Sequence, residues 1–116
     1  MILGLGTDII EVNRIRNIES KNSRLSERIL APEEMEYYHK LNAEKRRLEY
    51  LSGRFAVKEA YSKALGTGIG SAASFKDIVC LNDAAGKPFI KDDRRVHVSI
   101  SHAEEYAVAT VIIEDE

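Results

Sequence analysis

Two acidic residues stand where apolar ones are expected. Asp8 interrupts the apolar run from Ile2 to Ile10, and Glu59 shares a helical stripe with Leu48, Leu51, Phe55 and Ser62, spaced at three or four residues. Burying an ionised carboxylate requires a counter-charge or a proton. A hard divalent cation would satisfy both groups at once. Magnesium takes one or two protein carboxylates, with phosphate oxygens and water completing its shell. Arg54, Lys58 and Lys63, on the same helical stretch as Glu59, would then hold those phosphates. Each carboxylate also has a plainer reading. Glu59 fits an i,i+4 ion pair with Lys63 or a partner in Lys58, and Asp8 fits a cap for a helix beginning near Glu11. Two carboxylates about fifty positions apart do not define a metal site by themselves.

The elements that must position these groups read as α+β. Ile2 to Ile10 is strand-like, and its two glycines, Gly4 and Gly6, let another element approach the backbone closely. Helical spacing follows in Glu11 to Ile18, and again around Leu25, Ile29 and Leu30. Pro32, Glu33 and Glu34 form the first turn of a third helix, with Met35, Tyr38 and Leu41 as its apolar stripe. The longest helix runs from about Ala43 to Leu65, with Asn42 as N-cap and Gly66 as stop; Ala56, Ala60 and Ala64 make a small-residue stripe. After Gly66 to Gly70 the period changes. Phe75 to Leu81, Phe89 to Ile90, Val96 to Ser101 and Tyr106 to Ile113 read as strands, with a turn at Asp83 to Pro88.

The 116 residues carry 17 Lys+Arg against 19 Asp+Glu, a net charge of −2, and are 44% hydrophobic. That length fits one domain, residues 1–116, with no repeat or linker. The charge is segregated. Arg14 to Arg28 holds five basic and two acidic residues, and Lys45 to Lys63 six basic and two acidic. Two basic segments in an acidic chain point to local anion recognition. A nucleic-acid-binding module is disfavoured by the net charge, the absence of Trp and the lack of a recognition motif. The single Cys80 excludes an internal disulfide and a four-Cys zinc site and fits a reducing compartment. No apolar run approaches the ~20 residues of a membrane span, and the first residues lack the basic flank of an export signal, so a cytoplasmic protein is expected. Gly66 to Gly70 follows a helix instead of preceding one, which excludes a P-loop. No nucleophile elbow or His-x-x-x-His pair supports a serine hydrolase or a zinc peptidase. In Val96 to Ser101, Val96, Val98 and Ile100 face one side and His97, Ser99 and Ser101 the other, with His102 at the strand end.

Three stretches together resemble one family. Gly4-Leu5-Gly6-Thr7-Asp8-Ile9 is similar to the opening G-x-G-x-D motif of the holo-acyl-carrier-protein synthases. Arg54-Phe55-Ala56-Val57-Lys58-Glu59-Ala60-Tyr61-Ser62-Lys63-Ala64-Leu65-Gly66-Thr67-Gly68 looks like that family's second motif, and Val98-Ser99-Ile100-Ser101-His102 its third. Members are 4′-phosphopantetheinyl transferases. The resemblance implies an α+β fold assembled as a homotrimer with active sites between subunits. It implies transfer of 4′-phosphopantetheine from coenzyme A to a serine of apo-acyl carrier protein, with release of adenosine 3′,5′-bisphosphate, in support of fatty acid biosynthesis. A non-catalytic coenzyme A sensor of the same fold would not need Asp8, Glu59 and Lys63 together.

By the same resemblance, Asp8 and Glu59 hold magnesium against the coenzyme A diphosphate, and Lys63 stabilises the charge developing there. The attacking serine belongs to the carrier protein, and its proton goes to Glu59 or to a metal-bound water. Arg46, Arg54 and His102 bind the nucleotide end, with Gly66 and Thr67 nearby. Arg14, Arg24 and Arg28 face the acidic carrier protein, with Leu25 as an apolar contact.

Overall fold

The computed structural model describes residues 1–21, 24–66 and 74–115. Strand β1 (Ile2–Glu11) leads into helices α1 (Val12–Glu19), α2 (Leu25–Ile29), α3 (Pro32–Lys40) and the long α4 (Glu44–Leu65). Strands β2 (Cys80–Asn82), β3 (Pro88–Ile90), β4 (Val96–His102) and β5 (Tyr106–Glu114) follow. β1, β5 and β4 form an antiparallel sheet in that order, and β2 and β3 form a separate antiparallel ribbon.

Strand alternation decides which face is covered. In β5, Ala107, Ala109, Val111 and Ile113 are buried and pack with Val96 and Val98 of β4 against Ala56, Val57 and Ala60 of α4. In β1 the even residues Gly4, Gly6, Asp8 and Ile10 turn to the covered face, while Leu3, Leu5 and Ile9 are exposed. The first half of α4 belongs to a second apolar cluster. Leu48 and Leu51 pack there with Val12, Ile15, Leu25, Ile29 and Tyr38 from the three shorter helices.

The glycines of β1 explain how α4 comes so close. A Cβ on Gly4 would lie 2.1 Å from the Ala64 carbonyl oxygen, and one on Gly6 only 1.9 Å from that of Ala60. Only glycine at these positions, facing the small-residue stripe of α4, allows backbone-to-backbone contact.

Three local expectations are corrected. Asn42 does not cap α4: Ala43 occupies the N-cap position, with no side-chain cap. Phe75 to Leu81 is not one strand. Asp77 accepts hydrogen bonds from both the amide (3.2 Å) and the hydroxyl (2.9 Å) of Ser74, which closes a 3-10 turn over Phe75–Asp77 and delays the strand to Cys80. Asp8 does not cap α1 either, since Glu11 is its N-cap residue. Gly66 does end α4, in the left-handed region at φ +80°.

Candidate active site

The pairing of β1 with α4 sets the position of Asp8. Gly6 lies against Ala60, and the next inward residue of β1, Asp8, comes close enough to α4 to meet Lys63 and to feel the charge of Glu59. Lys63 Nζ donates to Asp8 Oδ1 at 3.0 Å and to the Thr7 carbonyl at 3.0 Å. The lysine therefore pairs with Asp8 and not, as the helical spacing allowed, with Glu59. Burial and then the charge of Asp8 push the Glu59 carboxyl above the usual carboxylate range, and Lys63 pulls it back in part.

Asp8 Oδ2 is buried and accepts no hydrogen bond among the described residues. An orphaned carboxylate oxygen beside a second, repelled carboxylate leaves a deficit of positive charge. This arrangement fits a divalent cation held by Asp8 and Glu59. Among the described residues no third His, Cys, Asp or Glu joins them in a metal-sized cluster. Two protein carboxylates are what a magnesium ion shared with phosphates takes.

Lys58 is corrected from a phosphate ligand to an internal ion. Its Nζ is fully buried and donates to Glu34 Oε1 (2.5 Å), to the Ile29 carbonyl (2.6 Å) and to the Phe75 carbonyl (2.9 Å). Three oxygen acceptors use all three protons of an ammonium, so no donor is left for a ligand.

Arg46, Arg54 and His102 line one cavity of about 200 Å³. Arg54 is 5% exposed and fixed in orientation: Nε donates to the Cys80 carbonyl at 3.1 Å, Nη2 to Asn82 Oδ1 at 2.8 Å, and the guanidinium sits 4.5 Å from the centre of the Tyr50 ring. His102 Nε2 lies 2.9 Å from the Glu49 carbonyl, which only accepts, so Nε2 carries a proton. Gly53 makes room for this ring, since a Cβ there would be 3.0 Å from His102 Nε2. Neither Asp8 nor Glu59 lines this cavity. Along α4, Arg46 is roughly 20 Å and Arg54 roughly 7 Å from the level of Glu59, at about 1.5 Å per residue.

Arg14, Leu25 and Arg28 meet at a different groove of about 640 Å³, walled by the end of β1, α1, α2, Phe55 of α4 and Tyr106 of β5. Leu25 is 5% exposed and forms its floor more than its rim. Arg24 is not among the groove residues. It lines a separate cavity and pairs with Glu27 at 3.0 Å. The Gly66 amide is spent on the Ser62 and Lys63 carbonyls, and Thr67 lies outside the described residues. Sequence reasoning missed Gly53, Tyr50 and Asn82. Only Gly53 carried a signal, because glycine inside a long helix costs ~1 kcal/mol relative to alanine and so demands a packing reason.

Comparison with known proteins identifies related chains. A family model described as the 4′-phosphopantetheinyl transferase superfamily matches residues 4–111. Holo-[acyl-carrier-protein] synthases of Staphylococcus saprophyticus and Bacillus pumilus are 51% and 53% identical to the chain, over 98% of it and 99% and 97% of their own lengths. Among solved structures, a holo-(acyl-carrier-protein) synthase from Bacillus anthracis in complex with CoA (3′,5′-ADP) superposes with a TM-score of 0.92 at 47% identity, covering 100% of this chain and 99% of that one. The synthase from Neisseria meningitidis follows with a TM-score of 0.86 at 37% identity, covering 99% of this chain and 100% of its own. With the motif residues of β1 and α4 in contact and relatives matched over nearly their whole length, the chain belongs to the 4′-phosphopantetheinyl transferase superfamily.

Proposed function

We infer that this chain is an enzyme that transfers 4′-phosphopantetheine from coenzyme A to a serine hydroxyl of apo-acyl carrier protein, releasing adenosine 3′,5′-bisphosphate. The observation that carries the reading is the Asp8–Lys63–Glu59 cluster with its orphaned carboxylate oxygen. In the reaction the serine oxygen forms a bond to the phosphorus bearing pantetheine, and the bond from that phosphorus to the bridging oxygen breaks. The electron pair leaves with the nucleotide phosphate.

Asp8 and Glu59 are the residues that would hold magnesium, which when bound offsets negative charge on the diphosphate. Lys63 is half-exposed and, among the described residues, donates to Asp8 and Thr7, so its ammonium can swing onto a phosphate oxygen. The serine proton goes to Glu59 or to a water at the site. Arg46, Arg54 and His102 form the cationic pocket for the nucleotide end. Gly66 and Thr67 are assigned to its neighbourhood by motif alone. Arg14 and Arg28, with Leu25 beneath them, present a groove to the acidic carrier protein, and Arg24, at a separate cavity, is assigned to that partner by its basic segment alone.

The nucleotide pocket and the carboxylates lie at different levels of α4, which supports an active site completed by a neighbouring copy. Leu3, Leu5 and Ile9 of edge strand β1 are 57%, 65% and 62% exposed, an apolar face suited to the homotrimer the motifs imply. Sedimentation giving a stable monomer at working concentration would contradict that assembly. No helix among the described residues is long and apolar enough to cross a membrane. A cytoplasmic, single-domain enzyme serving fatty acid biosynthesis fits that observation together with the lone buried Cys80.

The test is intact-mass spectrometry of apo-acyl carrier protein incubated with the chain, coenzyme A and magnesium. A gain of about 340 Da, the phosphopantetheine increment of such a covalent transfer, that disappears with chelator is the expected result. Unmodified carrier protein under those conditions would overturn the reading.

A further inference from the structure

Helix α2 spans five residues, Leu25–Ile29, too few to be stable alone. Its N-cap residue, Arg24, has a left-handed backbone (φ +40°) and provides no side-chain cap. Yet α2 supplies Leu25 and Arg28 to the groove, whose other walls come from the end of β1, α1, Phe55 of α4 and Tyr106 of β5. Leu25 and Ile29 seat it in the second apolar cluster, and two charged groups hold it at opposite ends.

Glu19, the last residue of α1, accepts the Ser26 amide at 2.8 Å and the Ser26 hydroxyl at 2.5 Å, and the Tyr38 hydroxyl at 3.1 Å. These bonds tie α1 to the first turn of α2. At the other end, Lys58 of α4 donates to the carbonyl of Ile29, the last residue of α2. Lys58 is itself fixed by Glu34, whose carboxylate also accepts the Ala31 amide (2.8 Å) and the Cys80 amide (2.9 Å). These bonds tie α2 to α4 three residues beyond Phe55, the groove residue of that helix. A buried pair of this kind adds little net stability, while removing one partner is costly because it leaves the other charge buried and alone.

We propose that Glu19 and the buried Lys58–Glu34 pair are positioning residues that place the α2 wall of this groove, and with it set the affinity for acyl carrier protein. The proposal rests on the transferase reading above and on Arg28 facing the carrier. Neither Glu19 nor Lys58 touches substrate; each acts through α2.

Steady-state kinetics with apo-acyl carrier protein and coenzyme A test it. Wild-type turnover and a raised carrier-protein KM in Arg28→Glu come first, because failure of either overturns the docking reading instead. With those in hand, Glu19→Ala raises the carrier-protein KM on the order of fivefold, leaves the coenzyme A KM within about twofold, and lowers kcat less than KM rises. Glu19→Gln, which keeps an acceptor for Ser26, restores most of the loss. Glu34→Gln combined with Lys58→Met removes both buried charges at similar volume and produces the same split. Its effect persists at about 0.5 M salt, where the Arg28→Glu effect fades. A folded Glu19→Ala protein with an unchanged carrier-protein KM overturns the proposal, as does an equal rise in both KM values. If the double variant does not fold, Lys58 holds the fold and not the groove, and that half of the proposal is overturned.

Discussion

Lys63 Nζ lies 3.0 Å from Asp8 Oδ1, joining residues 55 positions apart in the chain. One ammonium thus serves a site with two carboxylates, Asp8 and Glu59, and leaves Asp8 Oδ2 without a partner among the described residues. The arrangement is poor for stability and suited to binding a cation, which is the usual direction of compromise at a catalytic site.

Replacing the carboxylate should separate these two properties. Asp8→Asn removes charge from the cluster without changing its shape. Turnover should fall about 10²- to 10³-fold, the usual scale for losing one electrostatic element of a preorganised site. The melting temperature should stay level or rise. Calorimetry alongside the mass-shift assay checks both, and a large loss of melting temperature would mean Asp8 holds the fold.

Gly6→Ala should be far more damaging than its one added methyl implies. The new Cβ would stand 1.9 Å from the Ala60 carbonyl oxygen, so α4 must lift from β1. A loss of roughly 1–3 kcal/mol in urea unfolding is expected. Turnover should drop as well, because the same lift separates Asp8 from Glu59 and Lys63.

Arg54→Lys keeps the charge but not the fork. Lysine cannot reach both the Cys80 carbonyl and Asn82 Oδ1 while lying flat on Tyr50. The coenzyme A KM should rise about tenfold, roughly 1.4 kcal/mol, with a much smaller change in carrier-protein KM. Equal changes would remove Arg54 from the nucleotide pocket.

Alkaline pH should unfold the protein through its tyrosines. Burial pushes the Tyr38 and Tyr50 phenols up to about 12, and the charge of Glu19 adds to the effect at Tyr38. Groups with raised folded-state values contribute stability that is fully present below about pH 10, where unfolded tyrosine is neutral. That contribution is lost as pH rises towards 12. Denaturation midpoints measured from pH 9 upward should fall over this window, and Tyr50→Phe should flatten the decline. A midpoint independent of pH there would contradict the assignment.

Most of the elements, and the motif residues, were legible before folding is considered. The two periodicities, the proline at the start of α3 and Gly66 at the end of α4 are local signals, and local chemistry decides local backbone. Gly4 and Gly6 even announced a close approach to β1, although not by what. Where local signals competed, the sequence reading failed: the Ser74–Asp77 bonds closed a turn inside an apparent strand. Partnership was the other limit. Lys58 and Lys63 are both cations near Glu59 on one helix, and nothing in their spacing says which is buried. The register of α4 on β1 decides that, turning Lys63 to Asp8 and Lys58 inward to Glu34. Likewise Arg14 and Arg28 share a groove that Arg24, left-handed at the start of α2 and paired with Glu27, does not line. Side-chain partners across such distances depend on how whole elements pack, and packing is settled only when the chain folds as a unit.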